Sequence, residues 1–238
     1  MKKLIIVILF VIFGIIIVIS ETSIGIVILT KTKFSETKVP EAYLMPILRE
    51  ITPYTPDQFR EFSFSNLTFK TPWTQITDMQ ERPGAVLLKF PMGKTISIIK
   101  GSEPGGLVKS LLGDKPEEAK RIKSFFGEQI LASNYIFYKN ILESNPDQIT
   151  IFMPQKEATA RSVLIVLKTV LISSVGKGSK VVYNFTTDNI KGFQFGSPDE
   201  INRVYIEVFD NQDQQYGIIM GNMYQSEIDF ILSTIKTL

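Results

Sequence analysis

The pairings in this sequence best suited to nucleophilic chemistry are serine–lysine spacings. Ser35/Lys38, Ser97/Lys100, Ser174/Lys177 and Ser233/Lys236 each set a hydroxyl three positions before an amine. A lysine can serve as the base that activates such a serine when no histidine is at hand. The S-D-N and K-T-G elements that accompany this spacing in penicillin-binding enzymes are absent. In a chain this rich in serine and lysine, such spacings arise by chance.

The residue types that are missing narrow the chemistry further. The 238 residues contain no cysteine and no histidine. Ser-His-Asp and Cys-His catalysis are therefore excluded, as are the usual zinc ligand sets. A disulfide framework and a lipidated cysteine are excluded as well. Acid–base work would fall to carboxylates, lysine or tyrosine.

Other short constellations are weaker. Gly176-Lys177-Gly178-Ser179 evokes a phosphate-binding loop, but the first glycine of that motif is missing. It also follows a helix and precedes a strand, the reverse of the required order. Gly101-Ser102-Glu103-Pro104-Gly105-Gly106 lies between a strand and a helix, where backbone amides could hold an anion, yet Glu103 would repel one. Asp210-Asn211-Gln212-Asp213 is rich in carboxylates but lacks the glycine and distal glutamate of a calcium loop, and reads as a solvated turn. Glu117-Glu118 and Asp199-Glu200 suit helix starts and turns. Asn66-Leu67-Thr68 and Asn184-Phe185-Thr186 match the glycosylation acceptor but fall in expected strands. No catalytic, cofactor-binding or metal residue is assigned.

The elements that would position any site follow from hydrophobic periodicity. Glu41–Glu50 suggests a short helix kinked at Pro46. The alternation of Phe62 and Phe64, then of Leu67 and Phe69, shifts parity at Ser65-Asn66, as in a tight turn or a bulge. Ala85–Phe90 and Thr95–Lys100 form a hairpin through Pro91–Lys94. Helices are expected over Leu107–Leu112, Asp114–Phe126 and Ser133–Glu143. The strongest helix is Ala158–Val175, with Val163, Leu164, Leu167, Val170 and Leu171 on one face and Val166 widening it. Lys168 and the polar ends interrupt it, so it reads as a packed central helix rather than a span. Strands follow at Val181–Thr187, Ile190–Phe195, Arg203–Phe209 and Gln215–Met220, then a last helix capped by Ser226 with Asp229 at its third position. Short connections imply antiparallel neighbours. The fold class is α+β: one domain with an antiparallel β-sheet covered by helices, the sheet joining strands from both halves. The layering resembles the PsbP-type α/β/α sandwich, a resemblance that speaks to fold alone.

The N-terminal segment gives the address. Lys2 and Lys3 precede an apolar run from Leu4 to Ile19, and a second apolar patch runs from Ile24 to Leu29. Leu4 to Ser20 just reaches the roughly 17 residues that a span requires. The leading lysines favour a cytoplasmic N-terminus, against a modest pull from Lys31, Lys33 and Lys38. A cleaved export signal is the alternative, with Val18-Ile19-Ser20 as its cleavage site. The expected division is a membrane anchor at 1–30, a juxtamembrane linker at 31–40 and a single extracytoplasmic domain at 41–238.

Net charge is +2, with 26 basic and 24 acidic residues well mixed, which speaks against a nucleic-acid partner. The expected function is a non-enzymatic binding or assembly module of the bacterial cell envelope, held to the membrane by Leu4 to Ser20 and meeting a protein partner there. The alternative is an envelope hydrolase using carboxylate or Lys/Tyr acid–base chemistry. A deep pocket holding two carboxylates of well separated pKa would favour the hydrolase.

Overall fold

The computed structural model describes residues 23–113, 116–176 and 178–237. Its centre is an eight-stranded sheet in the order β1-β7-β8-β9-β10-β6-β5-β4. The strands are β1 (Pro46–Leu48), β4 (Asp78–Arg82), β5 (Ala85–Lys89), β6 (Thr95–Lys100), β7 (Val182–Thr186), β8 (Ile190–Phe195), β9 (Arg203–Asp210) and β10 (Gln215–Gly221). Every pairing is antiparallel except β1 with β7. The β6–β10 ladder joins the strands of the two halves, as the sequence leads one to expect.

The sheet is covered on both faces. Phe193, Phe195 and Phe209 point to a helical layer. This layer holds α1 (Ser23–Lys33), α2 (Gly106–Leu112), α3 (Pro116–Phe126), α4 (Gln129–Ala132), α5 (Asn134–Glu143) and α6 (Gln155–Val175). Alternate residues of the same strands, Ile206, Val208, Ile218 and Met220, face α7 (Gln225–Thr234) and a small three-stranded sheet. That second sheet is β11-β3-β2, built from β2 (Arg60–Phe64), β3 (Leu67–Thr71) and β11 (Lys236–Thr237). The period of two along each strand thus sorts one sheet's side chains into two cores. The mixed α/β class with a large, mostly antiparallel sheet is as expected.

Several elements depart from the expectations. Glu41–Glu50 is no helix: a 3-10 turn spans Pro40–Tyr43, and Pro46 opens the edge strand β1. Proline lacks the amide a helix interior needs but is tolerated at a strand's first residue on an edge. Its parallel partner is β7, reached by the long crossover that parallel pairing demands. β4 is an edge strand of largely exposed residues, so it shows no apolar alternation to read. Helix α7 begins at Gln225, with Tyr224 in the cap position and Ser226 inside it. The Tyr224 amide is satisfied by Glu227 Oε2 at 2.9 Å, and Asp229 is turned to another purpose described below.

The expected anchor, Leu4 to Ser20, lies outside the described residues. Among the described residues one helix is long and apolar enough to cross a membrane, and it is α6, not an N-terminal segment. Its inner face, Leu164, Ile165, Lys168, Leu171 and Ile172, is buried in the domain, so we read it as a core helix. The buried face is rotated from the expected one: Val170 and Val166 are exposed, and Lys168 is fully enclosed. Patch Ile24–Leu29 lies in α1, whose Val27 is buried and whose Thr30 Oγ1 lies 3.0 Å from Ser162 Oγ of α6. Phe34 and Val39, within the expected linker, pack into the same small cluster.

Candidate functional site

None of the serine–lysine spacings forms a dyad among the described residues. Ser97 and Lys100 sit three apart on β6 and so point to opposite faces. Lys100 instead pairs with Glu103 at 2.8 Å. Ser233 Oγ donates to the Phe230 carbonyl, Ser174 Oγ to that of Leu171, and Lys38 Nζ to that of Thr32. Lys177 lies outside the described residues.

The glycine loop before α2 and the acidic β9–β10 turn prove to be parts of one structural joint. Asn134 of α5 donates to the carbonyls of Ser102 (3.2 Å), Glu103 (2.8 Å) and Asp213 (3.2 Å), and accepts from the Leu107 amide at 3.0 Å. Asp213 caps α5 from a distant part of the chain: its carboxylate accepts from Ser133 Oγ at 2.9 Å and from the Asn134 and Tyr135 amides. Asp210 accepts from the amides of Gln212 and Gln214 within its own turn. The expected solvated turn is therefore a helix cap, its carboxylates consumed by amides. Asp213→Ala is expected to destabilise the fold by about 1–2 kcal/mol, the usual value of a lost cap. Asp213→Asn should lose less, and denaturant titration of both variants measures the difference.

Ionisable groups with large pKa displacements occur at two places in the helical layer, around Glu207 with Tyr205 and Tyr138, and at Lys168. Glu207 of β9 is buried, and burial raises its carboxyl to about 7, against the opposing hydrogen bonds from Tyr205 and Gln215. Tyr205 Oη donates to Glu207 Oε1, and Gln215 Nε2 donates to Oε2 at 3.0 Å. Gly217, opposite on β10, makes room: a Cβ there would lie 2.7 Å from Tyr205 Oη. Tyr138 of α5 is also buried nearby, its hydroxyl raised first by burial and then by the charges of Glu207 and Tyr205. At the second place, burial lowers Lys168 to about 7. Its Nζ donates to the Ser144 carbonyl at 2.8 Å, at the negative end of α5, and no carboxylate reaches it among the described residues. Among the described residues, five of the best-formed pockets are lined by none of Glu207, Tyr138 and Lys168. These groups have the perturbation of catalytic residues without the access.

A true pocket lies where three connections meet at one end of the sheet. The β5–β6 turn brings Met92 and Lys94, the β8–β9 loop brings Pro198, Asp199, Ile201 and Asn202, and the β10–α7 junction brings Asn222, Met223 and Tyr224. Its volume is about 180 Å³. The backbone is held in unusual conformations there. Met92 (φ 62°) and Asn222 (φ 55°) are both left-handed, and Asn222 Nδ2 donates to the Met92 carbonyl at 2.6 Å. Asn adopts this region readily, whereas methionine does so only where its surroundings hold it, here the Asn222 hydrogen bond to its carbonyl.

The walls of the pocket are chemically quiet. Lys94 is buried and donates to both oxygens of Glu227, at 2.8 and 2.7 Å. Its Nζ also lies 5.1 Å from the ring centroids of both Trp73 and Tyr224. This lysine and carboxylate satisfy each other, and Glu227 is further engaged by the Tyr224 amide. Val204, Met220 and Met223 form a buried apolar floor, while Met92 (81% exposed) and Tyr224 (71% exposed) stand at the rim. Asp199 is the one carboxylate on the wall not held in an ion pair among the described residues. The exposed lining is more polar than apolar, so the arrangement can hold a small group by apolar contact at the floor and hydrogen bonds at the wall; among the described residues it offers no free acid–base pair. Sequence reasoning missed this pocket because its residues come from three separated stretches, none of which carries a motif.

No family model matches the chain, and neither do any curated protein or solved structure, so the functional reading rests on this geometry.

Proposed function

We propose that the chain is a membrane-tethered, extracytoplasmic binding or assembly module of a bacterial envelope, and that its pocket takes one side chain of a partner protein, its stem on the apolar floor and its polar end at the wall. The pocket itself carries this reading. At about 180 Å³ it is smaller than the roughly 300–1,000 Å³ of small-molecule sites, and suits a single side chain. An apolar floor under a methionine and tyrosine rim is the composition of an interface anchor point. Methionine adapts its shape to what enters. A hydrolase would need two ionisable groups in an open cleft. The shifted groups are buried away from the pocket, and Lys94 and Glu227 are spent on each other.

Photo-crosslinking in intact cells tests this. A benzophenone residue at Tyr224 or Met92 should give a discrete protein adduct that the same probe at exposed Glu61 does not. Adding Ile201→Trp to fill the pocket should abolish the adduct. Equal adduct patterns at 61 and 224, or an adduct indifferent to Ile201→Trp, would sink the reading. The address is tested separately, and the cysteine-free chain makes this direct. Lys120→Cys on exposed α3 should react with a membrane-impermeant maleimide in intact cells whose outer layer is opened. Labelling only after lysis would place the domain on the cytoplasmic side.

A further inference from the structure

We infer that the outer face of α1, together with the turn that carries Phe152, rests in the headgroup region of the membrane beside the tether. The inference rests on the proposed anchor at Leu4 to Ser20.

Chain length comes first. The apolar run ends at Ile19 and α1 begins at Ser23, with Ser20, Glu21 and Thr22 between. An extended chain covers at most about 3.5 Å per residue, so a tether at Leu4–Ile19 holds the start of α1 within roughly 15 Å of the apolar core. Any apolar side chain on the outside of α1 is then within reach of the interface.

The structure supplies such side chains. α1 turns Val27 and Thr30 inward against α6 and leaves Ile28 and Leu29 outward, each 56% exposed. The segment after α5 joins the same small core through Ile149 and Met153, which pack with Val27 and Ile26. Between them Phe152 projects, 90% exposed. An aromatic ring this exposed has no packing role, and interfacial rings favour the headgroup level. The charges beside it are mixed: Lys33 and Lys38 are exposed, Lys31 lies 3.9 Å from Asp147, and Glu36 is exposed in the same stretch, so the apolar side chains and not a charge patch would hold this face to the headgroups.

Helix α6 then sets the orientation. Its C-terminal Gly176 meets Phe195 at the pocket end of the sheet, whereas Phe152 precedes its N-terminus. A 21-residue helix is about 31 Å long. A domain seated on α1 and Phe152 would hold the pocket some 30 Å from them along this axis, toward the partner's side.

Site-directed spin labelling of the full chain in phosphatidylcholine–phosphatidylglycerol vesicles tests the inference. Labels at Leu29→Cys and Phe152→Cys should relax faster with oxygen than with an aqueous nickel chelate, and a label at Glu61→Cys should show the reverse. Each vesicle sample is also washed with alkaline carbonate. If the chain stays in the vesicles but the labels at 29 and 152 are as accessible to nickel as the one at 61, the docking fails and the tether stands. If carbonate releases the chain, the tether fails and the inference falls with it. Strong spin–spin broadening at 152 would mean that a second copy covers this face, and would overturn the lipid assignment.

Discussion

Asp229→Ala is expected to lower the unfolding free energy by about 3–5 kcal/mol, the usual result of stranding one member of a buried ion pair. Asp229 is 2% exposed and faces Arg49, whose Nη1 donates to Oδ1 at 2.5 Å. Its other oxygen accepts from the amide and hydroxyl of Thr52, at 3.2 and 3.3 Å. Arg49 Nη2 donates to Gln194 Oε1 at 2.8 Å, and Gln225 Nε2 closes the ring on Asp229 at 2.8 Å. The guanidinium also lies 5.7 and 6.0 Å from the ring centroids of Tyr183 and Phe185. Removing the carboxylate leaves a cation enclosed by aromatic and amide groups and takes the acceptor from Thr52. The companion Arg49→Met should be similarly costly, because it buries the unpaired anion. The double variant should be less destabilised than the sum of the singles, since neither charge then remains stranded. Denaturant midpoints of the four proteins measure this; additive losses would show that the pair does not act as a unit.

The second large effect concerns pH. Lys168 falls from 10.5 in the open chain to about 7 in the fold, and Glu207 rises from 4.5 to about 7. Above pH 10.5 Lys168 is neutral in both states and weakens nothing. As pH falls toward 7 the unfolded chain takes up its proton first, so stability is lost across that window, on the order of 5 kcal/mol in all. Glu207 acts on the other side. Below pH 4.5 it is neutral in both states. As pH rises toward 7 the unfolded chain ionises first, and the native state weakens by on the order of 3 kcal/mol. The combined contribution of these two groups is least favourable near neutrality and improves on either side, while the raised Tyr138 and Tyr205 oppose it at alkaline pH. Lys168→Met should flatten the alkaline limb of the stability profile and Glu207→Gln the acid limb. Subtracting each variant's profile from that of the wild type isolates each group. Profiles parallel to the wild type would mean that water reaches these groups in the native state.

Much of the architecture was legible because local pattern and final environment agree. The hairpin through Pro91–Lys94 and the strands β7 to β10 alternate in sequence as they do in the sheet. The illegible parts are those where the two disagree. β1 hides behind Pro46, and β4 behind charged residues suited to an exposed edge. Lys168 interrupts an apolar helix in the sequence, yet it is enclosed, and the Ser144 carbonyl supplies a partner for it there. Of the candidate site, sequence exposed the false leads better than the pocket. Asp213 and Ser133 lie far apart in sequence, and only the fold shows that one caps the helix of the other. The pocket is likewise assembled by chain reversals, which no spacing rule encodes.

The order of the strands also governs when the molecule can become itself. Pro46 pairs with Val182, Thr68 with Lys236, and Arg49 with Asp229. Each bond ties the early chain to its last quarter. A nascent chain emerging N-terminus first can form the β2–β3 and β5–β6 hairpins and the local helices, but both sheets must wait for residues made at the end. Until then β1 and β3 lack these partners, and the apolar faces meant for them stand open, the state in which chains aggregate or meet a chaperone. A product that stops short of α7 would lack Asp229, β11 and the cover of the second core together. Closure of this domain therefore waits on α7 and β11, which bring Asp229 to Arg49 and a partner to β3.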